Sequence, residues 1–335
     1  MKVHILDDWY DTLRGLPGFA LLDGHEVTVW TDRLTDPAAL ARRLAPADAV
    51  VLYRDRTAIT PDLAALLDGP RLIAMRGQYN HVDVDALTAR GILFCSHMAK
   101  DGPSTSTAEL TFALMLSALR YLPDQIASAR AGTWQGAAPL GRNVAGKTLG
   151  LYGYGGIART VAGFARAFGM PVLWWASDEG RARAIADGET VAASREAFFA
   201  GSDVISIHKR LTPRTKGEIT ATDLMAMRPG SVLVNTSRAG LIQPGAILAA
   251  LEAGRIGRAA LDVFPAEPVL DPADPLISHP HVIPTPHIGF VTGEELDRQF
   301  TDIFGLVNAY AAGAPQQMIN PSVWKDARPQ GQYGL

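Results

Sequence analysis

The 335-residue sequence has one cysteine, no block of basic residues and no long uninterrupted apolar run. A single Cys95 cannot close an internal disulfide, so the chain reads as a protein of a reducing compartment, with the cytoplasm as its expected location. Its place in the apolar stretch "GILFCS" marks it as a small buried hydrophobe, not a nucleophile. The 31 Lys and Arg against 34 Asp and Glu give a formal charge of -3 with no concentrated positive patch, so neither nucleic acid nor an anionic membrane is an expected partner. The opening "MKVHILDDWY" reaches two aspartates before an apolar segment develops, and "FALMLSALRYL" is short and interrupted, so neither a secretory signal nor a membrane span is expected. His208, His97 and His81 read as structural or cofactor-adjacent; they lack the paired ligands at fixed spacing that a metal site requires, and no metal site is proposed. A small-molecule ligand is left as the expected partner.

What is present is a rhythm. Short runs rich in Val, Ile and Leu, "KVHILD", "EVTVWT", "AVVLYR", "RLIAMRG" and "GILFCS", alternate with helix-like stretches such as "DPAALARRLA". This alternation predicts a parallel sheet covered on both faces. The stretch "STSTAELTFALMLSALRYLPDQIASARAG" then interrupts it, opening on Ser/Thr capping letters, and reads as the helix that leaves the first lobe. A second series follows with "TLGLYGYG", "PVLWWAS", "DVISIH", "SVLVNTS", "AALDVF" and "HVIPTPH". The length accommodates two domains, no solenoid or propeller repeat is apparent, and the tail "KDARPQGQYGL" looks polar and loosely held.

Two phosphate-loop spellings stand side by side in "GRNVAGKTLGLYGYGGIA". Gly141 to Thr148 fits the nucleoside-triphosphate loop, yet that motif needs a strand before it and a helix beginning at its Lys-Thr. Here "GKT" runs directly into the strand-like "LGLYG", so Lys147 reads as part of a surface turn. The second spelling has its context: strand "TLGLY", glycines 153 and 155, the helical "IARTVAGFARAFG" and the strand "PVLWW". Gly153 permits the tight turn, Gly155 admits a pyrophosphate to the backbone, and Ala158 allows close helix–strand packing. The carboxylate that normally holds the ribose of NAD at the end of the second strand is missing, because "WWASDEG" places Ala176 and Ser177 there. Arg181 or Arg183 would neutralise a 2′-phosphate, whereas Asp178 and Glu179 would repel one, so NAD(H) and NADP(H) remain equally open.

Three further strand ends, "LVNTSRAGLI", "AALDVFPAEP" and "VIPTPHIGFVTGEE", carry Arg238, Glu267 and His287. Reduction of a 2-oxo acid requires a cation for the carboxylate, a proton donor for the carbonyl oxygen and a carboxylate that favours the charged donor. Arginine forks onto a carboxylate, and an imidazole ordinarily titrates near neutrality.

With these motifs in order, from "RLIAMRGQYNHVDVDAL" through "VISIHKRLTPRTKGEI" to "TPHIG", the chain resembles the D-isomer-specific 2-hydroxyacid dehydrogenase family over nearly its whole length. The resemblance implies an α/β architecture of two doubly wound parallel-sheet domains with the active-site cleft between them. Residues 1–99 and 289–335 would form a flavodoxin-like substrate domain, and 100–288 the Rossmann NAD(P)-binding domain, in a homodimer built around the long helix. It implies Arg238 as ligand of the substrate carboxylate and carbonyl, His287 as acid/base and Glu267 as its partner, with Asp262 near the nicotinamide. The backbone around Arg76, Gly77 and Gln78 would bind the substrate carboxylate. Gly153, Gly155, Gly156, Ile157, Ala176, Ser177, His208, Thr236, Ser237 and Gly289 would surround the cofactor.

Departures from the family pattern are equally specific. Gly156 stands where a basic residue is usual, and His208-Lys209-Arg210-Leu211 replaces a more apolar run. Arg54, Arg56, Lys100 and Lys209 would suit a substrate with a second anionic group, a dicarboxylate or a phosphonate, against the bland reading of solvated surface charges. Tyr53 and Trp134 are candidates for the pocket wall, and equally for core or interface aromatics. The competing function is a non-catalytic dinucleotide sensor of the corepressor type on the same scaffold. Formate oxidation is disfavoured, because glutamine would be expected at Glu267.

Overall fold

Short runs rich in Val, Ile and Leu build two parallel sheets in this computed structural model, which describes residues 1–98 and 105–326. The chain divides into two units, Met1–Asp101 with Thr292–Leu335, and Gly102–Val291. In the first, β1 (Lys2–Ile5), β2 (Glu26–Val29), β3 (Ala49–Val51), β4 (Leu72–Arg76) and β5 (Leu93–His97) lie in the order β2-β1-β3-β4-β5. This is the flavodoxin-like order. Helices α1 (Pro37–Leu44), α2 (Pro61–Leu66) and α3 (Val84–Ala89) each start at a side-chain cap, from Asp36, Thr60 and Asp83, that accepts an otherwise orphaned backbone N–H. Their Leu40, Leu44, Leu63 and Leu87 pack with Val50, Leu52, Ile73, Met75 and Phe94. The helix Gly293–Ala311 returns to this unit and packs against β4 and β5. Cys95 is fully buried, and burial pushes its thiol up to about 12.

The second unit holds β6 (Leu149–Tyr152), β7 (Val172–Trp175), β8 (Val204–Ile207), β9 (Ser231–Asn235), β10 (Ile256–Leu261) and β11 (Val282–Pro284), ordered β11-β10-β9-β8-β6-β7. Its strand residues alternate between two cores. Leu149, Leu151, Val232, Val234 and Ala260 join one, with α4 (Thr105–Arg120) and α6 (Gly156–Ala167). Tyr152, Ile205, Ile207, Leu233, Ala259 and Leu261 join the other. This period of two, with both faces apolar, is what a sheet covered by helices on each side requires.

The long helix foreseen between the units is interrupted. Tyr121 adopts a left-handed φ of 52° after α4, and α5 (Leu122–Arg130) begins with Pro123 in its first turn. Proline has no amide to donate to the preceding turn and its ring crowds that turn, so a new helix starts there. The triphosphate-loop spelling is a turn: Lys147 N–H donates to the Val144 carbonyl at 2.9 Å and the chain enters β6, with no helix starting at Lys147. Among the described residues no helix is long and apolar enough to cross a membrane.

Registers align the ends of all six strands. Trp175 pairs with Tyr152, Tyr152 with Ile207, Ile207 with Asn235, Asn235 with Leu261 and Leu261 with Pro284, forming one row across the sheet. Immediately beyond it come Ala176, Gly153, His208, Thr236, Asp262 and Thr285. Gly153 has φ 115°, and a Cβ there would lie 2.2 Å from the His208 carbonyl oxygen, whereas a Cβ on Gly155 would meet nothing within 4 Å. Gly153→Ala is therefore expected to lower stability by about 2 kcal/mol or more through strain and overlap, while Gly155→Ala leaves the melting temperature nearly unchanged. Thermal unfolding of the two variants side by side checks this; equal melting temperatures would remove the argument for a close approach at residue 153.

Candidate active site

The site grows from the row of strand ends. After β6 the chain turns at Gly153 and enters α6, whose N-cap Gly155 has no capping side chain. The first amides of α6, including those of Gly156 and Ile157, emerge beside the open space at Gly155, while buried Ala158 packs helix onto sheet. Uncapped amides at a helix start are a ready cradle for phosphate, and here the cradle lies between β6 and β8, where the strand order reverses. A dinucleotide pyrophosphate fits these donors.

At the end of β7, Ala176 is buried and presents no carboxylate. The Ser177 hydroxyl accepts the Gly180 N–H at 3.3 Å and caps α7 (Asp178–Ala186). Arg181 stacks 4.3 Å above the Trp175 ring, donates to the Ala176 carbonyl at 2.8 Å and pairs with Asp178 at 2.5 Å. Arg183 reaches the Tyr154 carbonyl in the glycine turn at 3.5 Å. After β8, His208 sits against the Ser206 hydroxyl at 2.8 Å.

Beyond β9 the turn carrying Thr236, Ser237 and Arg238 is braced from its own strand end. The Asn235 carboxamide accepts the Ser237 N–H at 3.0 Å and donates to the Arg238 carbonyl at 3.1 Å, while the Ser237 hydroxyl donates to the Lys209 carbonyl at 2.6 Å. Beyond β10, Asp262 is fully buried. One carboxylate oxygen accepts the Thr285 hydroxyl at 2.6 Å and the Ile288 N–H at 2.8 Å, and the other accepts the Gly289 N–H at 2.8 Å. Burial raises its carboxyl above the ordinary range, with these bonds acting in the opposite direction. Asp262 thereby fastens the turn that carries His287, whose backbone has a left-handed φ of 54°. His287 Nδ1 lies 2.6 Å from Glu267 Oε2, and the other carboxylate oxygen accepts the Phe264 N–H at 2.7 Å. The edge of Phe290 stands against the imidazole, with centroids 5.8 Å apart. This geometry directs Nδ1 to the glutamate and leaves Nε2 as the nitrogen for proton exchange.

Most of the remaining candidates lie at or just beyond strand ends of the first unit, and Lys209 follows β8 in the second. Arg76 is buried and ion-paired, 2.7 Å from Asp302 and 3.7 Å from Glu295. Gly77 has φ 99°, its N–H donates to the His97 carbonyl at 3.0 Å, and Gln78 follows on the turn. Arg54, at φ 55°, approaches Gln299 at 3.4 Å. Tyr53 is buried edge-on against Phe300, its phenol pushed up to about 12 by burial. Arg56 is sandwiched 4.1 Å from the Trp9 ring and 3.8 Å from the Tyr53 ring, and Lys209 is 2.5 Å from Glu218. Lys100 lies outside the described residues.

The family model for the D-isomer specific 2-hydroxyacid dehydrogenase, NAD binding domain, matches residues 112–289. The chain belongs to this family. A crystal structure described as a putative D-3-phosphoglycerate dehydrogenase oxidoreductase from Ralstonia solanacearum superposes with a TM-score of 0.91 at 38% identity, covering 96% of this chain and 98% of that one. The 4-methyl-2-oxopentanoate reductase A of Aspergillus oryzae is 35% identical over 74% of this chain and 76% of its own length. The D-3-phosphoglycerate dehydrogenase of Bacillus subtilis is 34% identical over 82% of this chain, which spans only 52% of that relative. The chain thus covers about half the length of the curated phosphoglycerate dehydrogenases it matches. The second sheet of this family member is its Rossmann-type NAD-binding domain, so a nicotinamide dinucleotide is the cofactor class.

Sequence reasoning passed over four residues that hold the site. Asn235 braces the arginine turn. Thr107 donates to the Gly289 carbonyl at 2.8 Å, Thr111 meets the Thr236 hydroxyl at 2.7 Å, and Ser206 contacts His208. The available signal was the Thr107/Thr111 spacing of one helical turn on an otherwise apolar face. Burial holds the His208 pKa down to about 4 against an ordinary 6.5. The unfolded chain therefore takes up this proton first as pH falls, so the contribution is intact above about pH 6.5 and is lost towards pH 4, by up to about 3 kcal/mol. Urea unfolding at pH 7.5 and 4.5 checks this: His208→Gln should lose less stability between the two than the unsubstituted protein, and equal losses would rule out the histidine as the cause.

Proposed function

We propose that the protein is a nicotinamide-dependent D-2-hydroxyacid dehydrogenase working as a 2-oxo acid reductase, on the strength of the 2.6 Å His287–Glu267 contact at the sheet edge that also carries Arg238. The amides at Gly156 and Ile157 would hold the pyrophosphate, with Thr236, Ser237, His208 and Gly289 around the rest of the cofactor and Asp262 behind it. The bound nicotinamide supplies the hydride. Arg238 would fork onto the substrate carboxylate and polarise the carbonyl. As the carbonyl carbon becomes tetrahedral, the Nε2 proton of His287 passes to its oxygen, giving the 2-hydroxy acid, and the Glu267 carboxylate balances the imidazolium that donates. The reverse order of the same transfers oxidises a 2-hydroxy acid.

A small or dianionic substrate suits Arg54 on its turn beyond β3, and the phosphoglycerate dehydrogenases among the relatives carry such a group by name. Trp134 and Leu140 are 86% and 93% exposed after α5, which supports a homodimer that covers them. A cytoplasmic setting accords with the lone buried thiol.

Loss of reduced-nicotinamide absorbance against a panel of 2-oxo acids, dicarboxylates and phosphonates included, tests the reading. His287→Ala should lower kcat by about two to four orders of magnitude with coenzyme binding retained. Arg238→Lys should act mainly on KM, because one ammonium cannot reproduce the fork. Unchanged kcat in the histidine variant would overturn the acid/base assignment, and coenzyme binding without turnover on any acid would point to a sensor.

A further inference from the structure

The end of β7 in a Rossmann-type sheet meets the adenosine ribose, where a carboxylate accepts the two hydroxyls of NAD and rejects a 2′-phosphate. This chain places the buried methyl group of Ala176 at that point. It also brings cationic groups to the two backbone segments that flank it. Arg181 is held by the Ala176 carbonyl and the Trp175 face, so its guanidinium is already oriented at the strand end. Arg183 leans on the Tyr154 carbonyl, on the glycine-turn side. The two segments are neighbours: a Cβ built on Gly180 would lie 2.8 Å from the Ala176 Cβ, 3.3 Å from the Ser177 hydroxyl and 3.7 Å from the Tyr154 Cβ. Ser177 uses its oxygen to accept the Gly180 N–H, which leaves its hydroxyl proton to donate. Of the two acids that would oppose a phosphate, Asp178 is paired with Arg181 and its side chain is 93% exposed, and Glu179 is exposed as well.

We infer that this strand end is a 2′-phosphate subsite, formed by Ser177, Arg181 and Arg183, and that the protein prefers NADP(H) to NAD(H). The inference rests on the dinucleotide-binding reading of the glycine turn. A guanidinium fork and a hydroxyl are the donors that a phosphate monoester recruits, and with no carboxylate at residue 176 the ribose diol has lost its usual acceptor.

Binding measured without substrate separates the two ideas. Quenching of tryptophan fluorescence, with Trp174 and Trp175 in the strand that ends at the subsite, should give NADPH a dissociation constant about tenfold or more below that of NADH. Calorimetry should likewise rank 2′,5′-ADP above 5′-AMP. Arg181→Ala and Arg183→Ala should each narrow the NADPH/NADH ratio, Ala176→Asp should reverse it, and 0.5 M salt should weaken NADPH more than NADH. Equal or tighter binding of NADH, or of 5′-AMP, overturns the subsite while leaving the nicotinamide enzyme standing. Failure of all four ligands to bind overturns the dinucleotide reading itself.

Discussion

One row of paired residues, Trp175–Tyr152–Ile207–Asn235–Leu261–Pro284, governs everything that follows it in the second unit. Parallel strands point the same way, so residues that share a register leave the sheet together. Six connections therefore emerge along a single edge, and their polar side chains and free backbone amides are delivered within a few positions of the pleat. A one-residue slip would exchange the faces of a strand and drive its apolar side chains out of their cores, which is why burial on both sides fixes the placement of the polar ends.

Those polar ends are secured by groups that do no chemistry themselves. The buried Asp262 carboxylate spends its acceptors on the histidine turn, Asn235 spends both ends of its amide on the arginine turn, and two threonines of α4 bridge to Gly289 and Thr236. Reactive groups need placement within a fraction of an ångström, and a loop with unsatisfied backbone cannot provide it. A saturated hydrogen-bond scaffold behind the reactive atoms supplies that precision.

Much of this was legible in the residues. The eleven strands among the described residues follow from short runs rich in Val, Ile and Leu, and the phosphate loop from its strand–glycine–helix context. The order of motifs named the family, and the His287–Glu267 contact joins two of the three residues it singled out, whose roles with Arg238 are a proposal. What stayed hidden depended on partners that only the folded chain brings to each side chain. Arg56 and Lys209 look like spare cations on paper, yet one is clasped by Trp9 and Tyr53 and the other by Glu218. Arg76 similarly meets Asp302 and Glu295 of a helix that arrives late in the sequence. Asn235 reads as the last letter of an apolar run, because its function lies in two bonds to the turn that follows. The break at Tyr121 was masked by apolar periodicity continuing past Pro123.

The left-handed backbone at His287 has a consequence for how such a chain can change over time. A side chain held at positive φ costs about 1–3 kcal/mol, a cost the Asp262 bonds absorb. A glycine would sit at that position without strain. Selection for robustness alone would therefore pull residue 287 away from histidine, and only a demand on its imidazole, such as the proposed proton transfer, would hold it in place. Other parts of the protein must supply the surplus stability that lets this one residue remain uncomfortable.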